Sequence, residues 1–149
     1  MGRGAQTLSR TELPGVPSTA TDLVLGIGGI FIRARDPAGL GRWYAEHLGI
    51  RAMVIGENEE VWWPRPGPTV FSPFPDDTDY FGRRDQQVML NYRVADLDAV
   101  LTRLRAAGVS VEERTELLDG IGRFGWATDP EGNRFELWEP AAEALKPPR

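Results

Sequence analysis

The chain of 149 residues has no cysteine and a single histidine, His47. The first absence excludes disulfides, a thiolate metal site and a cysteine nucleophile. The second excludes a three-histidine zinc site. His47 itself falls on the apolar face of an expected helix, near the C-terminal end where its cation is favoured. That placement leaves no Ser-His-Asp or Cys-His arrangement. No apolar run approaches the roughly 20 residues that cross a bilayer, so no membrane partner is expected. No Lys/Arg cluster is present and the net charge is -5, which argues against a nucleic-acid surface. Phosphate-cradling glycine patterns are missing as well. Asp76, Asp77, Thr78 and Asp79 lack the spacing and terminal Glu of a calcium loop, and read as a turn. The first residues have no apolar core of a signal peptide. With the missing cysteine, the cytoplasm is the expected location.

What is present is a repeat. Ile30 to Ile50 and Leu90 to Val109 each run as a short β-type segment, an Asp at a turn, and an amphipathic helix closed by Gly. Asp36 answers to Asp96 and Gly49 to Gly108. Such self-similarity marks a fold made by pairing two supersecondary units. Two half-sheets side by side leave a cleft, where small molecules bind. Hydrophobic content of 41% and charged content of 26% are ordinary for a globular domain.

Within the first unit a strand is expected at 28–34. A helix follows, capped by Asp36 with Pro37 at its first position. Leu40, Trp43, Tyr44 and His47 share one helix face, and Gly49 supplies the left-handed stop. Residues 52–74 read as two or three strands, and 75–84 as a connection between the units. In the second unit a strand is expected from Gln87, then a helix capped by Asp96 with Leu97, Val100, Leu101 and Leu104 as its apolar stripe. A strand at 109–114, a loop, and a hairpin (FGWAT, turn DPEGN, RFELW) complete it. The order is β-α-β-β-β, twice. The expected domains are a flexible tail at 1–23, modules at 24–82 and 83–140, and a C-terminal tail at 141–149.

DPAGLGRWYAEHLGI, VADLDAVLTRLRAAGV and GRFGWATDPEGNRFELWEP, in this order, resemble the opening helices and the closing hairpin of the vicinal oxygen chelate superfamily. That superfamily includes glyoxalases, extradiol dioxygenases, fosfomycin-inactivating transferases and bleomycin-binding proteins. The resemblance runs from about Gly26 to Pro140. It implies an α+β fold of two paired βαβββ modules forming a curved mixed sheet around a cleft. It implies a homodimer, with the modules pairing within one chain or swapped between two. It also implies a divalent metal (Mn, Fe, Co, Ni or Zn) held by one side chain from the first strand of each module and a Glu in the last strand. Carried over, those positions are Gly29, Met89 and Glu136, and only Glu136 offers a suitable ligand.

Glu136 is the candidate catalytic residue and metal ligand. It shares one strand face with Arg134 and Trp138, while Phe135 and Leu137 point to the helices. It acts either as a cleft-facing base or ligand, or as a carboxylate paired with Arg134, Arg93 or Arg123. Asn91 and Arg93 alternate onto the expected cleft face, where they would orient a polar or anionic group; a solvated strand face gives the same pattern. Arg123 is read as an anion contact or a surface ion pair. Trp62, Trp63, Trp126 and Trp138 suit a flat ligand, a dimer contact or the core, and Tyr80 stands to close one mouth of the cleft. Two functions follow. One is a glyoxalase-like lyase or isomerase acting on a small oxygen-bearing substrate. The other is a non-catalytic drug- or metabolite-binding protein of the bleomycin-resistance type.

Overall fold

A computed structural model of the chain describes residues 23–57 and 59–147. Most of the expected N-terminal tail, 1–23, and the last two residues of the C-terminal one lie outside them. Backbone contacts divide the chain into residues 1–32 with 147–149, and residues 33–146. In the first of these units, described residues 23–32 form no helix or strand. Everything below concerns the second.

Helix α1 spans Pro37–Leu48. Its cap is the expected one, with the Asp36 side chain accepting from the Gly39 N–H, and it ends at Gly49 with φ 67°. Gly41 is required by a close approach, since a Cβ there would meet Val54 Cγ2 at 3.0 Å and Ala52 Cβ at 3.2 Å. Strand β1 is Asn91–Arg93, and α2 is Leu97–Ala106, capped by Asp96. The remaining strands are β2, Ser110–Val111, β3, Glu116–Leu118, β4, Gly122–Thr128, and β5, Arg134–Pro140. A 3₁₀ turn, Ala142–Leu145, follows.

The class is α+β. The sheet is mixed, in the order β1-β5-β4-β2, with β3 also on β4. β1 runs parallel to β5, and β2, β3 and β5 all lie antiparallel to β4. One face of the sheet packs on α2. Leu97, Leu101 and Leu104 are spaced by one helical turn each and meet Ala127, Phe135 and Leu137 in the core. Each fully buried leucine contributes about 2 kcal/mol of transfer free energy. Trp43 and Leu48 of α1 pack at the margin, and His47 lies against the Trp43 ring.

The hairpin turn fastens α1 to the sheet. Asp129, 4% exposed, accepts the Tyr44 hydroxyl at 2.7 Å and the backbone N–H groups of Glu131 and Asn133. Glu131 in turn accepts the Asp36 N–H and Arg35 Nε, each at 2.9 Å. These bonds to the Asp36 N–H and the Arg35 side chain hold the Glu131 carboxyl below its usual range.

The strands expected at 28–34 and 52–74 are not assigned, apart from an isolated bridge at Val54. A β segment exists only where a neighbour takes up its backbone groups, and none of the five strands of the sheet pairs with 61–74 among the described residues. The apolar side chains of that stretch stand exposed, Trp63 at 88%. The loop expected before the hairpin instead contains β3, turned back onto β4 at Gly120.

Candidate functional site

The register of three strands builds the site. Glu136 lies opposite Trp126 in the β4–β5 pair and opposite Asn91 in the β1–β5 pair. Period-two alternation sends all three side chains to the face away from α2. Asn91 Nδ2 donates to Glu136 Oε1 at 2.6 Å, and Trp126 Nε1 donates to Oε2 at 2.9 Å. The Tyr80 hydroxyl, carried in by the 75–84 connection, donates to the same Oε2. Glu136 is only 7% exposed, and no cation lies within ion-pair distance of it among the described residues. Both carboxylate oxygens therefore act as acceptors for neutral donors, which offsets the cost of burying them. Burial, and then the Glu136 carboxylate, push the Tyr80 phenol up to about 12, so it keeps its proton at neutral pH.

A cavity of about 440 Å³ adjoins this cluster, lined by Asp79, Tyr80, Glu112, Arg114, Glu116 and Arg134 among others. Arg134 is engaged from several sides. It pairs with Glu112 at 2.9 Å, donates to the Tyr80 carbonyl, and lies over the Tyr80 and Trp126 rings. Arg114 lies over Trp126, its guanidinium carbon 4.5 Å from the ring centre. The cavity is thus lined by two guanidinium groups, three carboxylates and a tyrosine, with the Trp126 indole buried behind the arginines. Such a lining suits a flat, polar small molecule.

The family described as glyoxalase-like domain matches residues 29–138. The chain belongs to this family, and so to the vicinal oxygen chelate superfamily. No curated protein matches it. Among solved structures it is similar to an antibiotic binding protein from Streptomyces, at 34% identity over 35% of this chain and 41% of that one, with a TM-score of 0.30. It is also similar to a glyoxalase/bleomycin resistance protein/dioxygenase superfamily member from Sphaerobacter thermophilus. That match has 30% identity, covers 34% of this chain and 40% of that one, and has a TM-score of 0.31. A glyoxalase family protein from Enterococcus faecalis aligns at 24% identity, over 44% and 52%, with a TM-score of 0.34. The chain thus spans about half or less of the length of each of these structures.

Within this glyoxalase-like domain the expected site residues divide. Glu136, Asn91, Trp126 and Tyr80 converge as described. Trp138 shares their face, donates its Nε1 to the Ile121 carbonyl at 3.0 Å and stacks on Phe124. Arg93 is pinned to backbone, with NH2 on the Arg65 carbonyl at 2.7 Å. Arg123 falls on the opposite face. It forms a two-toothed pair with Asp98 of α2, both contacts at 2.9 Å, and this holds the Asp98 carboxyl below its usual range. β4 places even-numbered residues on the Trp126 side and odd-numbered ones on the helix side, which decides the matter. Trp62 and Trp63 show no ring contact with the cluster. None of the three arginines raised as partners reaches Glu136.

Two residues were not anticipated as site residues. Arg134 shares the Glu136 face by period two, a signal that marked it only as a salt-bridge partner. Arg114 closes the strand expected at 109–114, but β2 ends at Val111, so Arg114 lies in the irregular stretch before β3.

The family implies a metal, and the side chains do not fit one. Glu136 has both oxygens occupied by Asn91, Trp126 and Tyr80. The Met89 sulfur lies 3.5 Å from an Arg134 nitrogen, a cation in the place a second ligand would take. Gly29, in the other unit, has no side chain to offer. No three His, Asp or Glu side chains converge among the described residues. A chelated divalent cation needs two or more anionic or imidazole donors turned inward, and of the three positions the family implies only Glu136 offers one.

Proposed function

We propose that the chain binds a small oxygen-bearing molecule in the cavity beside Glu136, without a metal and without using Glu136 as a base. One observation carries this reading: Glu136 is held by three neutral donors from three separate segments. A general base or a metal ligand needs a free lone pair aimed at the reacting group. Here three of the roughly four acceptor positions of the carboxylate are taken by Asn91, Trp126 and Tyr80, and Oε2 has both of its own filled. The carboxylate instead fixes the Tyr80 phenol that borders the cavity and the buried indole beneath its arginines, giving a preorganised wall. Preorganisation lowers the ordering cost of binding. This is the work of a drug- or metabolite-binding protein.

A lyase or isomerase is the second reading, and the Tyr80–Glu136 hydrogen bond favours it, because a proton can pass along it. It requires a substrate that displaces Tyr80 and accepts or donates in its place.

The test is twofold. Tryptophan fluorescence is followed while a panel of flat oxygen-bearing molecules is added, and quenching that saturates is the expected result. Metal content is then measured by mass spectrometry after incubation with Mn, Fe, Co, Ni and Zn and desalting. A retained equivalent that disappears in Glu136→Gln would overturn the metal-free reading.

The partner we propose besides the ligand is a second copy of the chain. Val61, Trp63, Val70 and Phe71 are exposed in a stretch that has the strand-like sequence and lacks a strand neighbour among the described residues. A second copy supplies both apolar cover and backbone partners.

A further inference from the structure

Arg114 differs from the other arginine of the cavity. The Arg134 donors are taken by Glu112 and the Tyr80 carbonyl, whereas the Arg114 guanidinium makes no hydrogen bond or ion pair with any described residue. It is nevertheless held in place, because its guanidinium carbon sits 4.5 Å over the buried Trp126 ring. Trp126 is itself fixed by its bond to Glu136. An arginine held over a ring by the cation–π attraction keeps its N–H groups for another partner, and they match a planar oxyanion with two parallel hydrogen bonds.

We infer that Arg114 is the anion-recognising residue of this cavity, and that the ligand is a planar molecule carrying a carboxylate or a similar oxyanion. The inference rests on the cavity being the binding site proposed above. The acidic neighbours shape the ligand further. Glu112 is neutralised by Arg134, but Asp79 and Glu116 face the same cavity with no cation in ion-pair distance among the described residues. A simple anion is repelled by those two carboxylates. A ligand that sets its oxyanion on Arg114 and a hydrogen-bond donor or ammonium toward Glu116 or Asp79 satisfies both. The class is therefore amphoteric: an aromatic or otherwise flat acid bearing an amino or hydroxyl group.

The experiment is a titration of the full chain, observed by two-dimensional amide and indole NMR, with 4-aminobenzoate, benzoate and the neutral 4-aminobenzamide. Wild type is expected to bind 4-aminobenzoate more tightly than 4-aminobenzamide by roughly tenfold, the size of one charge-assisted pair. Benzoate is expected to fall below 4-aminobenzoate. In Arg114→Gln the acid and the amide bind alike, while Arg114→Lys keeps part of the preference. The Trp126 indole resonance reports both binding and the integrity of the wall in every variant. If wild type binds the acid and the amide equally, or Arg114→Gln keeps the preference, Arg114 does not read the anion and the cavity reading survives. If none of the three probes moves the indole resonance, both proposals fall.

Discussion

The indole of Trp126 donates to the carboxylate of Glu136 straight across the β4–β5 pair, at 2.9 Å. A tryptophan N–H can only donate and a carboxylate can only accept, so this contact has one polarity. Glu136→Gln places an amide where three donors converge, and its own N–H₂ must face one of them. The expected loss is about 1–3 kcal/mol of stability, read from the midpoint of urea unfolding. An unchanged midpoint would show that solvent, rather than Asn91, Trp126 and Tyr80, satisfies the carboxylate.

Tyr44 and Asp129 join α1 to the hairpin turn through one buried bond. Tyr44→Phe deletes the donor and leaves Asp129 with its Asn133 and Glu131 partners. A cost of about 1–2 kcal/mol is expected, since the remaining bonds keep the carboxylate satisfied. Asp129→Ala is expected to cost more, because it orphans the buried hydroxyl and unfastens the turn as well. Equal effects of the two variants would contradict this ordering.

All three tyrosines are shifted upward. Burial raises Tyr80 and Tyr92 to about 12 each, and raises Tyr44 strongly in the same direction, from an ordinary value of 10.0. A group whose folded value exceeds its unfolded one contributes stability that is complete below the unfolded value. That contribution is lost as pH rises through the folded value. Stability should therefore hold to about pH 10 and fall steeply between about 10 and 12. Ultraviolet absorbance of tyrosinate should appear with unfolding rather than before it. Tyrosinate forming near pH 10 while circular dichroism stays native would refute the burial of these rings.

Gly122 opens β4 with φ 137°, and a Cβ there would come within 2.1 Å of the Glu139 carbonyl and 2.8 Å of the Trp138 indole nitrogen. Backbone cannot yield to that contact. Gly122→Ala is expected to destabilise by about 3 kcal/mol and to separate the ends of β4 and β5. Thermal unfolding of this variant beside Gly120→Ala, where a Cβ meets nothing, isolates the clash from the positive-φ cost.

A second copy covering the 61–74 stretch predicts a solution mass of twice 16.5 kDa by light scattering on a sizing column. The double variant Trp63→Ser, Phe71→Ser should return it to the single-chain mass. A single-chain mass in the unmodified protein would remove the dimer.

The sequence by itself determined whatever depends on neighbours a few residues apart. The caps at Asp36 and Asp96, the stop at Gly49, the leucine stripe of α2 and the turn DPEGN are local matters of side-chain hydrogen bonding, backbone φ and helical period. The family, the α+β class and the face carrying Glu136 follow from those same patterns. Tertiary structure alone decided what Glu136 touches. Tyr80 and Asn91 lie 56 and 45 residues away, so no local period relates them to it. Tertiary structure also sent Arg123 to the helix side, where Asp98 waits, and set Arg114, from the irregular stretch before β3, over the Trp126 ring. Strand formation at 52–74 is of the same kind. Its residues have the alternation and the bulk for strands, but a strand is made by its neighbour, and the sequence does not name that neighbour.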